Sequence, residues 1–139
     1  MAQFIDGYKR APLSLGNVLI LGLGTSGRVA CAYCTMQMGK RVESVTVYAG
    51  KRTEASELFA QSAQRMGATI VFDSEAVEGS YDICIASPGI SEFSDFYRNA
   101  QAVSAEVISE VEFAWRESPQ DSIWVALTGT NGKTTTTAL

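Results

Sequence analysis

The sequence predicts an α/β protein of the Rossmann-like, doubly wound class, built on a mostly parallel five-stranded sheet. Three observations carry that expectation. Residues 18–21 (VLIL) form a short, unbroken apolar run, as a strand buried on both faces requires. The glycine-rich string Gly22-Leu-Gly-Thr-Ser-Gly27 follows at once and leads into a helical stretch. Strand-like and helix-like segments then alternate to about residue 118, which demands crossover connections and parallel pairing.

The elements are justified in order. Residues 28–39 read as a helix, with Val29, Ala30, Tyr33 and Cys34 available for a buried face. Residues 44–48 (SVTVY) are a second strand, rich in β-branched side chains. Residues 53–66 are a polar amphipathic helix that Thr53 caps and Gly67 stops. Residues 69–72 and 81–86 supply a third and a fourth strand, separated from a helix over 92–102 by the turn Ser87-Pro-Gly89. Residues 106–108 make a short fifth strand, and Ser109 caps a helix running to about Glu117. Residues 118–121 (SPQD) have linker character, after which residues 123–127 begin a new strand.

A chain of 139 residues supports one domain with a real core, and its 46% hydrophobic and 19% charged content is ordinary for a globular protein. The net charge is −4 and the basic residues are scattered, so neither a nucleic acid nor an anionic membrane is an expected partner. The longest apolar run falls far short of the ~18 residues of a membrane span, and residues 1–10 lack a secretory core, so a cytoplasmic protein is expected. There is no histidine, which removes histidine bases and triads from this chain. Cys31 and Cys34 have CxxC spacing, but with Cys84 they make only three thiols where a zinc site wants about four ligands. They read as small buried helix residues.

Gly22, Gly24 and Gly27 have the spacing of a phosphate-binding turn: room for a tight bend, for a diphosphate, and for close helix packing. The acidic residue that a dinucleotide site places at the end of the second strand is missing, because Ala49 stands there, followed by Gly50, Lys51 and Arg52. Ser87, Pro88 and Gly89 fall after a strand, in the layer where such folds bind ligands. The strongest signal is Thr128-Gly-Thr-Asn-Gly-Lys-Thr134, a shortened P-loop with Leu127 where a full Walker A has glycine. Gly129 and Gly132 free backbone N–H groups for an anion nest, Lys133 reaches the β/γ-phosphates, and the Thr134 hydroxyl suits Mg²⁺.

GTNGKTT, GLGTSG and SPGI, taken together, resemble the Mur ligases, the ATP-dependent amino-acid-adding enzymes of peptidoglycan synthesis, and among them the members that add D-glutamate. The resemblance spans nearly the whole chain. It implies that residues 1–118 are a domain gripping the UDP part of UDP-N-acetylmuramoyl-L-alanine, and that residues 119–139 begin a central ATP-binding domain. Gly22, Gly24, Thr25, Ser26 and Gly27 would then face the diphosphate and uridine, with Gly50 and Lys51 beside the uridine and Ser87, Pro88 and Gly89 against the substrate. ATP would lie on Gly129, Thr130, Asn131, Gly132, Lys133, Thr134 and Thr135, with Mg²⁺ on Thr134 and Lys133 as the catalytic residue. The reaction implied is ATP-driven formation of an acyl phosphate, attacked by the amine of D-glutamate. The D-glutamate site is expected outside these residues. The chain is accordingly expected to be the leading piece of a longer, monomeric enzyme, inactive and weak in ATP binding by itself. Where the family has aspartate before Gly50, this chain has Ala49. Two other readings remain open at this point: an NAD(P)-binding domain of an oxidoreductase, and a sugar-nucleotide sensor with a vestigial phosphate loop.

Overall fold

The structure, a computed structural model, describes residues 3–123. In chain order it contains β1 (Gly16–Leu21), α1 (Thr25–Met36), β2 (Val42–Gly50), α2 (Glu54–Arg65), β3 (Thr69–Phe72), β4 (Ile83–Ala86), α3 (Asp95–Ala102), β5 (Val107–Ser109) and α4 (Glu110–Arg116). The five strands are all parallel and stand in the order β3-β2-β1-β4-β5. The chain therefore builds outward from β1 to β3, then returns to the other side of β1 to lay down β4 and β5. That reversal, between β1 and β4, is the point where open α/β sheets form a ligand crevice beyond their strand ends.

The crossover helices cover both faces of the sheet. Ala30, Cys31 and Cys34 of α1, Ala63 of α2 and Phe113 of α4 pack on one face with Val18, Ile20, Val45 and Val47. Ala100 of α3 and Val77 cover the other, with Leu19, Leu21 and Cys84. The run 18–21 is fully buried, as a central strand between two helical layers must be.

The local signals were mostly sound. Thr53 caps α2 by accepting from Ser56 N–H while the Ser56 hydroxyl accepts from Thr53 N–H, and Gly67 stops the helix at φ +104°. Ser109 caps α4 through the Glu112 N–H at 3.1 Å. Several boundaries shift. α1 begins at Thr25, inside the glycine string, and ends at Met36, β2 is longer than expected, β4 starts only at Ile83, and α3 begins only after its Ser94 cap. Val29 is 67% exposed, contrary to expectation. The buried stripe of α1 is set by Gly27, Ala30, Cys31, Cys34 and Thr35, and Val29 falls outside that 3.6-residue phase.

The residues with linker character are paired with the start of the chain. Lys9 N–H donates to Ser118 C=O, Arg10 N–H to Arg116 C=O, and Gln120 N–H to Gly7 C=O. Lys9 Nζ donates to the carbonyls of Pro119, Gln120 and Ser122 at 3.2, 3.2 and 2.6 Å. No helix among the described residues is long and apolar enough to cross a membrane.

Candidate functional site

Three loops meet at the carboxyl edge of the sheet. The first follows β1. Gly22 has φ +92°, and its N–H donates to Tyr48 C=O of β2 at 2.8 Å. A Cβ on Gly22 would stand 3.0 Å from the Ser87 Cβ, so this loop and the one after β4 are in direct contact. Ser87 N–H in turn donates to Leu21 C=O at 3.1 Å. Gly24 is the N-cap of α1 with φ −74°, and no side chain caps the helix. Nothing lies within 4 Å of a Cβ built there. The first turn of α1 thus presents unpaired N–H groups and the positive end of its dipole toward open space, flanked by the exposed Thr25 and Ser26. Gly27 does the opposite job: a Cβ there would lie 2.3 Å from Gly22 C=O, so glycine is what lets α1 lie against the loop.

The second loop follows β2. Ala49 is half-buried and packs on the core, offering no hydrogen-bonding group. Gly50 has φ +79° and open space around it, and Lys51 is exposed. The third follows β4. Ser87, Pro88 and Ile90, with Glu92, Tyr97 and Ser109, border an open groove of ≈ 380 Å³, while Gly89 is exposed beside it. The structure therefore brings Gly22, Gly24, Thr25, Ser26, Gly27, Gly50, Lys51, Ser87, Pro88 and Gly89 to one edge of one sheet. The 129–135 loop, with Lys133 and Thr134, lies outside the described residues.

Sequence reasoning missed Glu110. It opens α4 and is only 7% exposed, with neither carboxylate oxygen hydrogen-bonded. Oε1 would be 3.5 Å from a Cβ on Gly27, which places the carboxyl directly beneath the glycine loop. Burial pushes its pKa above the ordinary value of 4.5, and the neighbouring Ser26 side chain counters this only in part. Helix N-termini favour an anion by about 0.3–1 kcal/mol, less than the several kcal/mol of desolvating an unpaired charge, so burial wins. The folded state holds this proton more tightly than the unfolded chain, so the associated stability is fully present below pH 4.5 and declines as pH rises through the raised folded value. Glu110→Gln is expected to stabilise the domain at neutral pH by about 1 kcal/mol and to flatten that decline. Urea denaturation at pH 4.5 and pH 7.5 checks it; an unchanged or lower stability at pH 7.5 would contradict it.

The thiols play no part at this edge. Cys31, Cys34 and Cys84 are buried and unbridged, and burial pushes them up to about 11, 12 and 12. No cluster of metal-ligating side chains occurs among the described residues.

No protein-family model matches the chain. Individual relatives do. It is 34% identical over 120 residues to the UDP-N-acetylmuramoylalanine–D-glutamate ligase of Thermobifida fusca (strain YX), covering 86% of this chain and 25% of that protein. The enzyme of the same name from Latilactobacillus sakei subsp. sakei (strain 23K) is 36% identical over 126 residues, 88% of this chain and 26% of the relative. That from Trichodesmium erythraeum (strain IMS101) is 37% identical over 123 residues, 86% and 25%. The chain spans about a quarter of the length of the curated relatives it matches. With nearly all of its length aligned to such enzymes, the chain belongs to the Mur ligase family, as a segment related to the D-glutamate-adding members.

Proposed function

We propose that the carboxyl edge of this sheet binds the UDP portion of UDP-N-acetylmuramoyl-L-alanine, for an ATP-dependent ligase that adds D-glutamate to it. The observation that carries the reading is the meeting of the three loops around an uncapped helix N-terminus. Gly24 leaves a path to the N–H groups of α1 that an anion can follow. The diphosphate then lies on Gly22, Gly24, Thr25, Ser26 and Gly27. The uridine extends toward Gly50 and Lys51, and Ser87, Pro88 and Gly89 wall the opposite side. The names of the relatives support the substrate and the amino acid added.

In this reading residues 1–118 form the UDP-sugar-binding domain and residues 119–139 begin the ATP-binding one. Gly129, Thr130, Asn131, Gly132, Lys133, Thr134 and Thr135 hold the ATP phosphates, and Thr134 is the Mg²⁺ ligand. ATP supplies a phosphoryl group that activates the alanine carboxylate as an acyl phosphate for attack by D-glutamate. Lys133 neutralises charge on that phosphoryl group. The protein works in the cytoplasm as a monomer.

Phosphate release from ATP by the longer protein that carries this chain tests the reading. Release is expected only with UDP-N-acetylmuramoyl-L-alanine and D-glutamate both present, and Lys133→Ala is expected to reduce it by at least about a hundredfold. Release that is indifferent to D-glutamate would overturn the assignment.

A further inference from the structure

The nucleoside end of the site lacks the acidic residue that such folds place after the second strand, because Ala49 faces the core there. A carboxylate nevertheless stands at that rim, supplied by the next strand. Asp73 follows β3 and is the one non-glycine residue among those described with positive φ, +58°. Its N–H donates to Gly50 C=O at 2.8 Å, and its Oδ1 accepts from Arg52 N–H at 3.1 Å. The Asp73 carboxylate is thereby folded back onto the turn after β2. Its other oxygen, Oδ2, lies 3.9 Å from Arg52 Nε, beyond hydrogen-bond length, and the side chain is 58% exposed.

Arg52 completes the arrangement. Its guanidinium lies 4.4 Å from the Phe72 ring centroid and is paired with Glu57 Oε1 at 3.2 Å. Clamped on one face and 51% exposed, the planar group keeps its outer face for stacking. Gly50, paired in register with Phe72 across a bulge in β2, leaves the space in front of the turn open. The end of β3 is two strand spacings from the glycine loop after β1, about 10 Å. That is the reach from the phosphates of a nucleotide to its nucleoside.

We propose that Asp73 anchors the nucleoside of the ligand, its Oδ2, ion-paired with Arg52 but holding no hydrogen bond, accepting one from a base N–H or a ribose hydroxyl while Arg52 stacks on the base. The carboxylate missing from the end of β2 is replaced from the end of β3. This inference rests on the UDP-binding reading above.

Calorimetry of the 139-residue chain with UDP, CDP and 2′-deoxy-UDP tests it, using Asp73→Asn and Asp73→Gly. Asparagine and glycine both tolerate the left-handed backbone, so each variant is expected to fold. Asparagine also keeps an oxygen for the Arg52 N–H. Both variants are expected to weaken UDP binding by about tenfold or more, the worth of a hydrogen bond to a charged group. If the donor is the uracil N3–H, CDP binding to Asp73→Asn is spared, because cytosine N3 is an acceptor that the amide can meet. If the donor is the ribose 2′-hydroxyl, UDP and CDP weaken together and 2′-deoxy-UDP is insensitive to the change. UDP binding within about twofold of the parent in both variants overturns the Asp73 assignment alone. Failure of the parent chain to bind UDP overturns the underlying reading and this inference with it.

Discussion

Gly27→Ala is expected to destabilise the domain by about 2–4 kcal/mol and to abolish measurable nucleotide binding. Alanine in a helix is ordinarily worth about 1 kcal/mol over glycine, so propensity alone predicts a small gain. The packing decides otherwise. The new Cβ would meet Gly22 C=O at 2.3 Å and its carbonyl carbon at 3.0 Å, and both belong to backbone that cannot rotate away. Gly22 is itself fixed by its hydrogen bond to Tyr48 and its contact with Ser87. Relief therefore requires α1 to move off the sheet, which shifts the helix N-terminus away from the ligand path. Gly24→Ala is the matched control. Nothing lies within 4 Å of its Cβ and φ is −74°, so stability should hold while binding falls. Chemical denaturation and UDP calorimetry separate the two effects; equal stabilities for the two variants would refute the packing argument.

The second large effect lies at the opposite end of the sheet. Arg41 donates through Nη1 and Nη2 to the two carboxylate oxygens of Glu117 at 2.6 and 2.9 Å, with side chains only 12% and 6% exposed. Arg41 also donates to Pro12 C=O through Nε and Nη2 at 3.0 and 2.6 Å, and the Tyr33 hydroxyl donates to Glu117 Oε1. Burial and the adjoining Glu117 carboxylate push Tyr33 up to about 12. This network ties the start of the chain, α1, the entry to β2 and the end of α4 together. Glu117→Ala leaves a mostly buried guanidinium without its partner, and its expected cost is about 3 kcal/mol. Replacing both members, as in Arg41→Met with Glu117→Leu, is expected to recover most of that loss, because the penalty is the orphaned charge. A double variant as unstable as Glu117→Ala would show that the pair itself carries the stability.

The contrast between these two predictions shows what the sequence disclosed. The 22–27 loop was legible because its parts are contiguous: a buried strand, three spaced glycines and a helix. Thr53, Ser109 and Gly67 were legible for the same reason, since caps and stops act within one turn. Arg41 and Glu117 are 76 residues apart and meet only through tertiary packing. Glu110 follows a cap residue and looks like an ordinary first-turn acid; only the packing of α4 against α1 buries it. Asp73 was hidden by strand order, because pairing of β3 with β2 places it beside a turn more than twenty residues earlier. The pairing of residues 7–10 with residues 116–120 escaped notice because neither segment is periodic.

The most direct test of the central claim is an NMR titration of the isotope-labelled 139-residue chain with UDP-N-acetylmuramoyl-L-alanine. Saturable shifts are expected at the amides of residues 22–27, 50–52 and 87–89, with Arg41 and Glu117 at the far end unmoved. Absence of any shift in residues 22–27, or shifts there with NADP and none with the UDP-sugar, would contradict the account.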